Sequence, residues 1–148
     1  MVALLDVNVL VALAWPNHVH HLPAHRWFAG RAAQGWATCS IVELGFIRVS
    51  SNARAVPSAV APQDAVELLR QITSLPGHHF WPDDIRFAES RYVARSCLVG
   101  HQQVTDAHLV GLALRHGGCL STFDAGVRAL VASGFSGEAS VEVVPPAL

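Results

Sequence analysis

Four short apolar runs each carry one acidic residue at the edge: Asp6 in VALLDVNVL, Glu43 in SIVELGFIRV, Asp106 in VTDAHLVGLAL and Asp124 in LSTFDAGV. An ionised carboxylate taken out of water costs several kcal/mol unless a cation or hydrogen-bond donors replace its hydration. These acids therefore belong where the runs end, at the rim of the core that their neighbours build. Local salt bridges explain them poorly. No basic residue lies within a turn of Asp6, Asp106 or Asp124 except Arg128, and Arg48 sits beyond Glu43. A shared divalent cation accounts for the group better.

The chain has 148 residues, the size of one domain spanning 1–148, and can bury roughly 70% of its unfolded surface without a disulfide or structural metal. Its 51% hydrophobic and 14% charged content leaves apolar surface to spare for a partner or a dimer interface. Cys39, Cys97 and Cys119 lie in apolar contexts without CxxC or CxxH spacing and read as buried thiols of a reducing compartment. The apolar run from Val2 to Trp15 is interrupted by Asp6 and Asn8, lacks a basic flank, and is shorter than a membrane span. These features predict a cytoplasmic protein without membrane association. The net charge of −1 excludes a general polyanion binder, although all ten basic residues are arginines, which can fork onto phosphate and stack on bases.

Short apolar runs alternate with amphipathic stretches along the whole chain. Val2 to Leu5 reads as a buried strand, followed by a helix from Val9 to Trp15 that stops before Pro16. A helix from His20 to Gln34 ends at Gly35, and Trp36 to Cys39 reads as a strand. Ser40 and Glu43 have capping-box spacing at the start of a helix from Ile41 to Val49. Pro62 opens a further helix that Pro76 and Gly77 close, and His78 to Trp81 is a weak strand candidate. A helix is expected from Ile85 to Ser96, and another capped by Thr105 and stopped by Gly117 and Gly118. A strand from Cys119 to Phe123, a helix from Ala125 to Ala132 and a strand from Val141 to Val144 complete the pattern.

This alternation argues for an α/β fold with a parallel sheet covered on both faces, whose sites lie beyond the carboxyl ends of the strands. Asp6 and Asp124 would sit there, and Glu43 and Asp106 in first turns of helices, where the dipole favours a carboxylate. Two carboxylates 4 Å apart repel by about 4 kcal/mol at an effective dielectric near 20, so convergence calls for a cation. Oxygen-only ligands point to Mg²⁺, with Mn²⁺ as the alternative. Taken singly, each of these acids is equally at home as an ordinary N-terminal helix residue; the ordered set carries the reading.

In that order, LLDVNVLVAL, SIVELGFIRVSSN, VTDAHLVGLALRHGG and CLSTFDAGV resemble the four acidic motifs of PIN-domain ribonucleases, specifically the VapC-type toxins of type II toxin-antitoxin pairs. The resemblance spans nearly the whole chain. It implies a three-layer α/β/α fold with a short, mostly parallel central sheet. It also implies an acidic centre of Asp6, Glu43, Asp106 and Asp124, with Asp6 and Asp106 the foremost metal ligands and Asn8 and Thr122 in support. The implied activity is Mg²⁺-dependent endoribonuclease hydrolysis of RNA, with a cognate antitoxin as partner and toxin homodimers. Val7 departs from the pattern, because relatives often carry a hydroxyl residue there. A PIN fold that binds RNA or protein without cutting is the alternative.

Two rival α/β phosphotransfer folds also begin with a strand and an aspartate, but both use a lysine and this chain has none. His18, His20, His21 and His25 lack a completing zinc-ligand pattern and read as a partly solvated helix face, with RNA or antitoxin contact as a lesser option. Trp15, Trp27, Trp36 and Trp81 read mostly as core. Arg48, Arg54, Arg91, Arg95 and Arg115 are candidate phosphate contacts.

Overall fold

A computed structural model describes residues 1–148. Five short strands form one wholly parallel sheet in the order β3-β2-β1-β4-β5. They are β1 (Ala3–Leu5), β2 (Trp36–Thr38), β3 (His78–Phe80), β4 (Cys119–Thr122) and β5 (Val141–Val143). The central strand β1 pairs with β2 through Ala3↔Trp36 and with β4 through Leu5↔Ser121. All residues of β1, β2 and β4 are buried, as expected of parallel strands covered on both faces. The chain leaves β1 first toward β2 and β3, then returns to the other side through β4 and β5. The switch point therefore lies between the carboxyl ends of β1 and β4.

Helices α1 (Val7–Ala14), α2 (His21–Arg31), α3 (Ser40–Ser50) and α4 (Pro62–Thr73) serve the β1 to β3 crossovers. Here α1 packs on α2 and α3, and α3 packs on α4. Helix α5 (Val104–Arg115) packs on β1 and β4, with α6 (Gly137–Ser140) beside it. Right-handed crossovers require this division of helices between the two faces. Gly45 allows α3 to approach α1 closely, since a Cβ there would lie 2.6 Å from Val7 Cγ2. Gly35, with φ at +89°, turns the chain into β2 through a conformation that other residues resist. The main core gathers around Leu4, Leu5, Leu10, Trp36, Phe46, Leu109 and Leu120. No helix is long and apolar enough to cross a membrane.

Several expectations need correction. The helix expected from Ile85 to Ser96 does not form: this segment is turns and extended chain, with one 3₁₀ turn at Arg95–Cys97. Residues distant in sequence hold the chain just before it and at one point within it instead. Asp83 pairs with His108, Asp84 with Arg115 and His116, and Val93 forms an antiparallel bridge to Val131. The helix expected after Asp124 is a 3₁₀ segment, Ala125–Leu130. Helix α1 begins at Val7 rather than Val9 because Asp6 caps it, and α5 begins at Val104, which puts Thr105 inside it. Cys39 and Cys119 are buried, but Cys97 is exposed. Trp36 and Trp81 are core residues, whereas Trp15 and Trp27 are only partly buried.

Candidate active site

Asp6 follows β1 at the switch point and is 9% exposed. Both of its carboxylate oxygens are held. Oδ1 accepts from the Val7 N–H at 2.7 Å and Oδ2 from the Thr122 hydroxyl at 2.7 Å. Thr122 ends β4, so this bond fastens the two central strands together at their carboxyl ends. The same hydroxyl oxygen accepts from Asn8 Nδ2 at 3.1 Å and from the Asp124 N–H at 3.2 Å. Asp124, on the exposed turn after β4, accepts from the Gly126 N–H through Oδ1 at 2.8 Å. Asp106 projects from the first turn of α5.

Asp6, Asp106 and Asp124 line one cleft of about 400 Å³, together with Val7, Asn8, Val11, His18, Val49 and Ala55. Their charges interact. Burial, reinforced by the charges of Asp6 and Asp124, pushes the Asp106 carboxyl up to about 6. Burial also raises Asp6, against the hydrogen bonds from Thr122 and Val7, and the Asp124 charge adds to the rise. Each raised carboxyl marks a site short of positive charge.

Glu43 does not line this cleft. It stands in the first turn of α3, half-buried, and accepts from the Thr38 hydroxyl at 2.6 Å. Because that hydroxyl donates to Glu43, His78 Nε2, 2.8 Å from Thr38 Oγ1, must be the donor of the second bond. The capping box read from Ser40 and Glu43 is absent: Ser40 is already helical, and Cys39 at the cap position makes no side-chain bond. Thr38 at the end of β2 competes for the carboxylate that the box would have used.

The donor chemistry of the cleft fits a hard divalent cation. The three acids offer oxygen only, and the Oδ1 of Asn8, which also lines the cleft, is buried without a partner. No three His, Cys, Asp or Glu side chains are drawn closely enough to enclose an ion. Mg²⁺ does not require that, since it usually keeps several waters and binds through one or two carboxylates. His18, Val49 and Ala55 are cleft residues that sequence reading did not assign to the acidic centre. No spacing signal ties them to the acids, since the fold brings them in from the loop after α1 and from the end of α3 onward.

Residues 3–131 match the PIN domain family. Ribonuclease VapC39 of Mycobacterium tuberculosis is 48% identical over 134 residues, covering 90% of this chain and 96% of that protein. Ribonuclease VapC38 of the same organism is 48% identical over 128 residues, covering 86% and 89%. Among solved structures, Rickettsia felis VapBC2 bound to a DNA fragment from their promoter superposes with a TM-score of 0.61 at 14% identity, covering 88% of this chain and 96% of that chain. Mycobacterium tuberculosis VapC20, a sarcin-ricin loop cleaving toxin, also gives 0.61, at 18% identity and with coverage of 91% and 97%. At those identities the two structures bear on the fold, and the sequence relatives bear on the branch. This chain belongs to the PIN-domain family, in its branch of VapC ribonucleases.

Proposed function

We propose that this protein is a divalent-metal-dependent endoribonuclease, the toxin of a type II toxin-antitoxin pair acting in the cytoplasm. The observation that carries the reading is the meeting of Asp6, Asp106 and Asp124 in one cleft at the switch point of the sheet. Asp6 and Asp106 would hold Mg²⁺ or Mn²⁺, with Asp124 at the outer side and Asn8 contributing its unpaired oxygen. When bound, the cation supplies positive charge against the phosphate oxygens and makes a water a stronger nucleophile at neutral pH.

The remaining work falls to the chain itself. Thr122 and the Val7 N–H fix both oxygens of Asp6, so the carboxylate needs little reorganisation when substrate arrives. Asp124 is the most exposed of the three acids, and it can orient a water or take its proton at the cleft mouth. Arg48 and Arg54 make no ion pair with an acidic side chain and stand next in sequence to the cleft residues Val49 and Ala55, which makes them the candidates for holding the flanking phosphates. Glu43 joins the acidic centre only if substrate or metal draws it from Thr38.

An antitoxin partner is supported by the VapC relatives and by the exposed apolar side chains of Val19, Leu22 and Leu44. The same apolar surface would serve a homodimer. The test is cleavage of end-labelled structured RNAs by purified protein with Mg²⁺, with Mn²⁺ and with chelator. Metal-dependent cleavage is expected. A folded, partner-free protein that cuts none of a broad RNA panel would favour a binding module instead.

A further inference from the structure

Immediately beside the acidic cleft lies a second, smaller pocket of about 180 Å³. Trp15, Asn17, His18, Ala55, Pro57 and Ser58 are among the residues that line it. His18 and Ala55 line both depressions, so the two adjoin and share a wall of which His18 is part. The smaller pocket falls below the roughly 300–1,000 Å³ typical of a cleft for a drug-sized molecule, and suits a single ring system.

Its walls have the chemistry of a base-binding site. Trp15 supplies an aromatic wall, and its Nε1–H donates to Ser50 Oγ at 3.0 Å, which holds the indole in place. Asn17 Nδ2 donates to Ser58 Oγ at 3.2 Å, leaving its Oδ1 and one remaining amide proton for the edge of a ring. His18 Nδ1 accepts from the backbone N–H of His20 at 3.1 Å. That bond fixes the neutral tautomer, so Nε2 carries the proton and is a free donor. Burial and the nearby charges of His20 and His21 lower the affinity of His18 for a second proton. Unpaired RNA is read in this way, by stacking on an aromatic side chain and by hydrogen bonds to base edges.

We infer that this pocket receives the unpaired base of a nucleotide flanking the scissile phosphate, with His18 donating through Nε2 to that nucleotide. The inference rests on the endoribonuclease reading above. His18 is then a binding and specificity residue, and the pocket selects where along an RNA strand the acidic cleft cuts.

The test is a randomised single-stranded RNA pool cut by the intact chain with Mg²⁺, the new ends being sequenced. Wild type is compared with Ser58→Trp, which plugs the pocket from its exposed rim, and with Asn17→Ala and His18→Gln; thermal melting checks that each folds. Wild type is expected to prefer one base by about 10-fold at a nucleotide flanking the cut, the scale of one hydrogen bond to a base edge. Ser58→Trp is expected to flatten that preference, and Asn17→Ala and His18→Gln to weaken it. An abasic nucleotide at that position should slow wild type and make no difference to Ser58→Trp. Cleavage by wild type without a flanking preference, or with one that all three variants keep, overturns the subsite and leaves the endoribonuclease reading standing; a pocket that takes a protein side chain would give that pattern. A pool left intact by wild type overturns both.

Discussion

Thr122 donates its hydroxyl proton to Asp6 Oδ2 at 2.7 Å, across the junction of β4 and β1. One hydroxyl thus sets the orientation of a buried carboxylate while accepting from Asn8 and from the Asp124 backbone. Thr122→Val keeps the shape and removes all three bonds. It is expected to lower stability by about 1–3 kcal/mol in urea denaturation. Loss of this supporting contact should weaken metal affinity by about 10- to 100-fold. Thr122→Ser should restore most of both.

Asp106 gives a pH-dependent signature. Its carboxyl is raised to about 6 in the fold, chiefly by burial and then by Asp6 and Asp124, against 3.8 for the ordinary group. The fold therefore binds this proton more tightly than the unfolded chain does. The corresponding stability is fully present below the ordinary value and is lost as pH rises through about 6. Because the group is half-exposed, about 1 kcal/mol is the expected size after solvent screening. In metal-free buffer near neutral pH, Asp106→Asn should melt higher than wild type, and the difference should close in acid. Added Mg²⁺ should raise the melting temperature of wild type more than that of the variant.

Arg31 and Glu142 form a tie between α2 and β5 at 2.9 Å, and Trp27 Nε1 donates to the same carboxylate at 2.9 Å. The arginine is buried, while the glutamate is about one-third exposed. Glu142→Gln leaves a buried guanidinium without its counter-charge and is expected to cost about 2–3 kcal/mol. Replacing both partners with methionine should recover much of that loss, and a double-mutant cycle by chemical denaturation checks it.

Gly45 and Val7 meet where α3 crosses α1, one residue after Asp6. Gly45→Ala would place a methyl 2.6 Å from Val7 Cγ2 and is expected to cost about 1–3 kcal/mol. Val7→Ala in the same chain should relieve it, as thermal melts of the single and double variants would show. The apolar Val7 thus fills space against Gly45 in this chain.

The strands and most helices were legible because their signals are local. β1, β2 and β4 are apolar runs buried on both faces, and Pro62, Gly35 and Gly77 mark boundaries that depend on backbone chemistry alone. The segment from Ile85 to Ser96 misled because the chain there is anchored from afar, at Asp83 and Asp84 just before it by His108, Arg115 and His116, and at Val93 by Val131. At the site, the convergence of Asp6, Asp106 and Asp124 followed from strand ends and a helix start. The engagement of Glu43 by Thr38 did not, since it depends on which hydroxyl β2 presents to α3. His18 was visible only as one of several clustered histidines, and its place beside the acids comes from the chain's return after Pro16.

The most direct measurement is single-turnover RNA cleavage with saturating Mg²⁺ by wild type, Asp6→Asn, Asp106→Asn, Asp124→Asn and the control Asp83→Asn, which alters an acid paired to His108 outside the cleft. The three cleft variants are expected to lose about 100-fold or more, the scale of removing one preorganised electrostatic group, while the control keeps its rate. Cleavage that survives Asp106→Asn at the wild-type rate would contradict an acidic metal centre in this cleft.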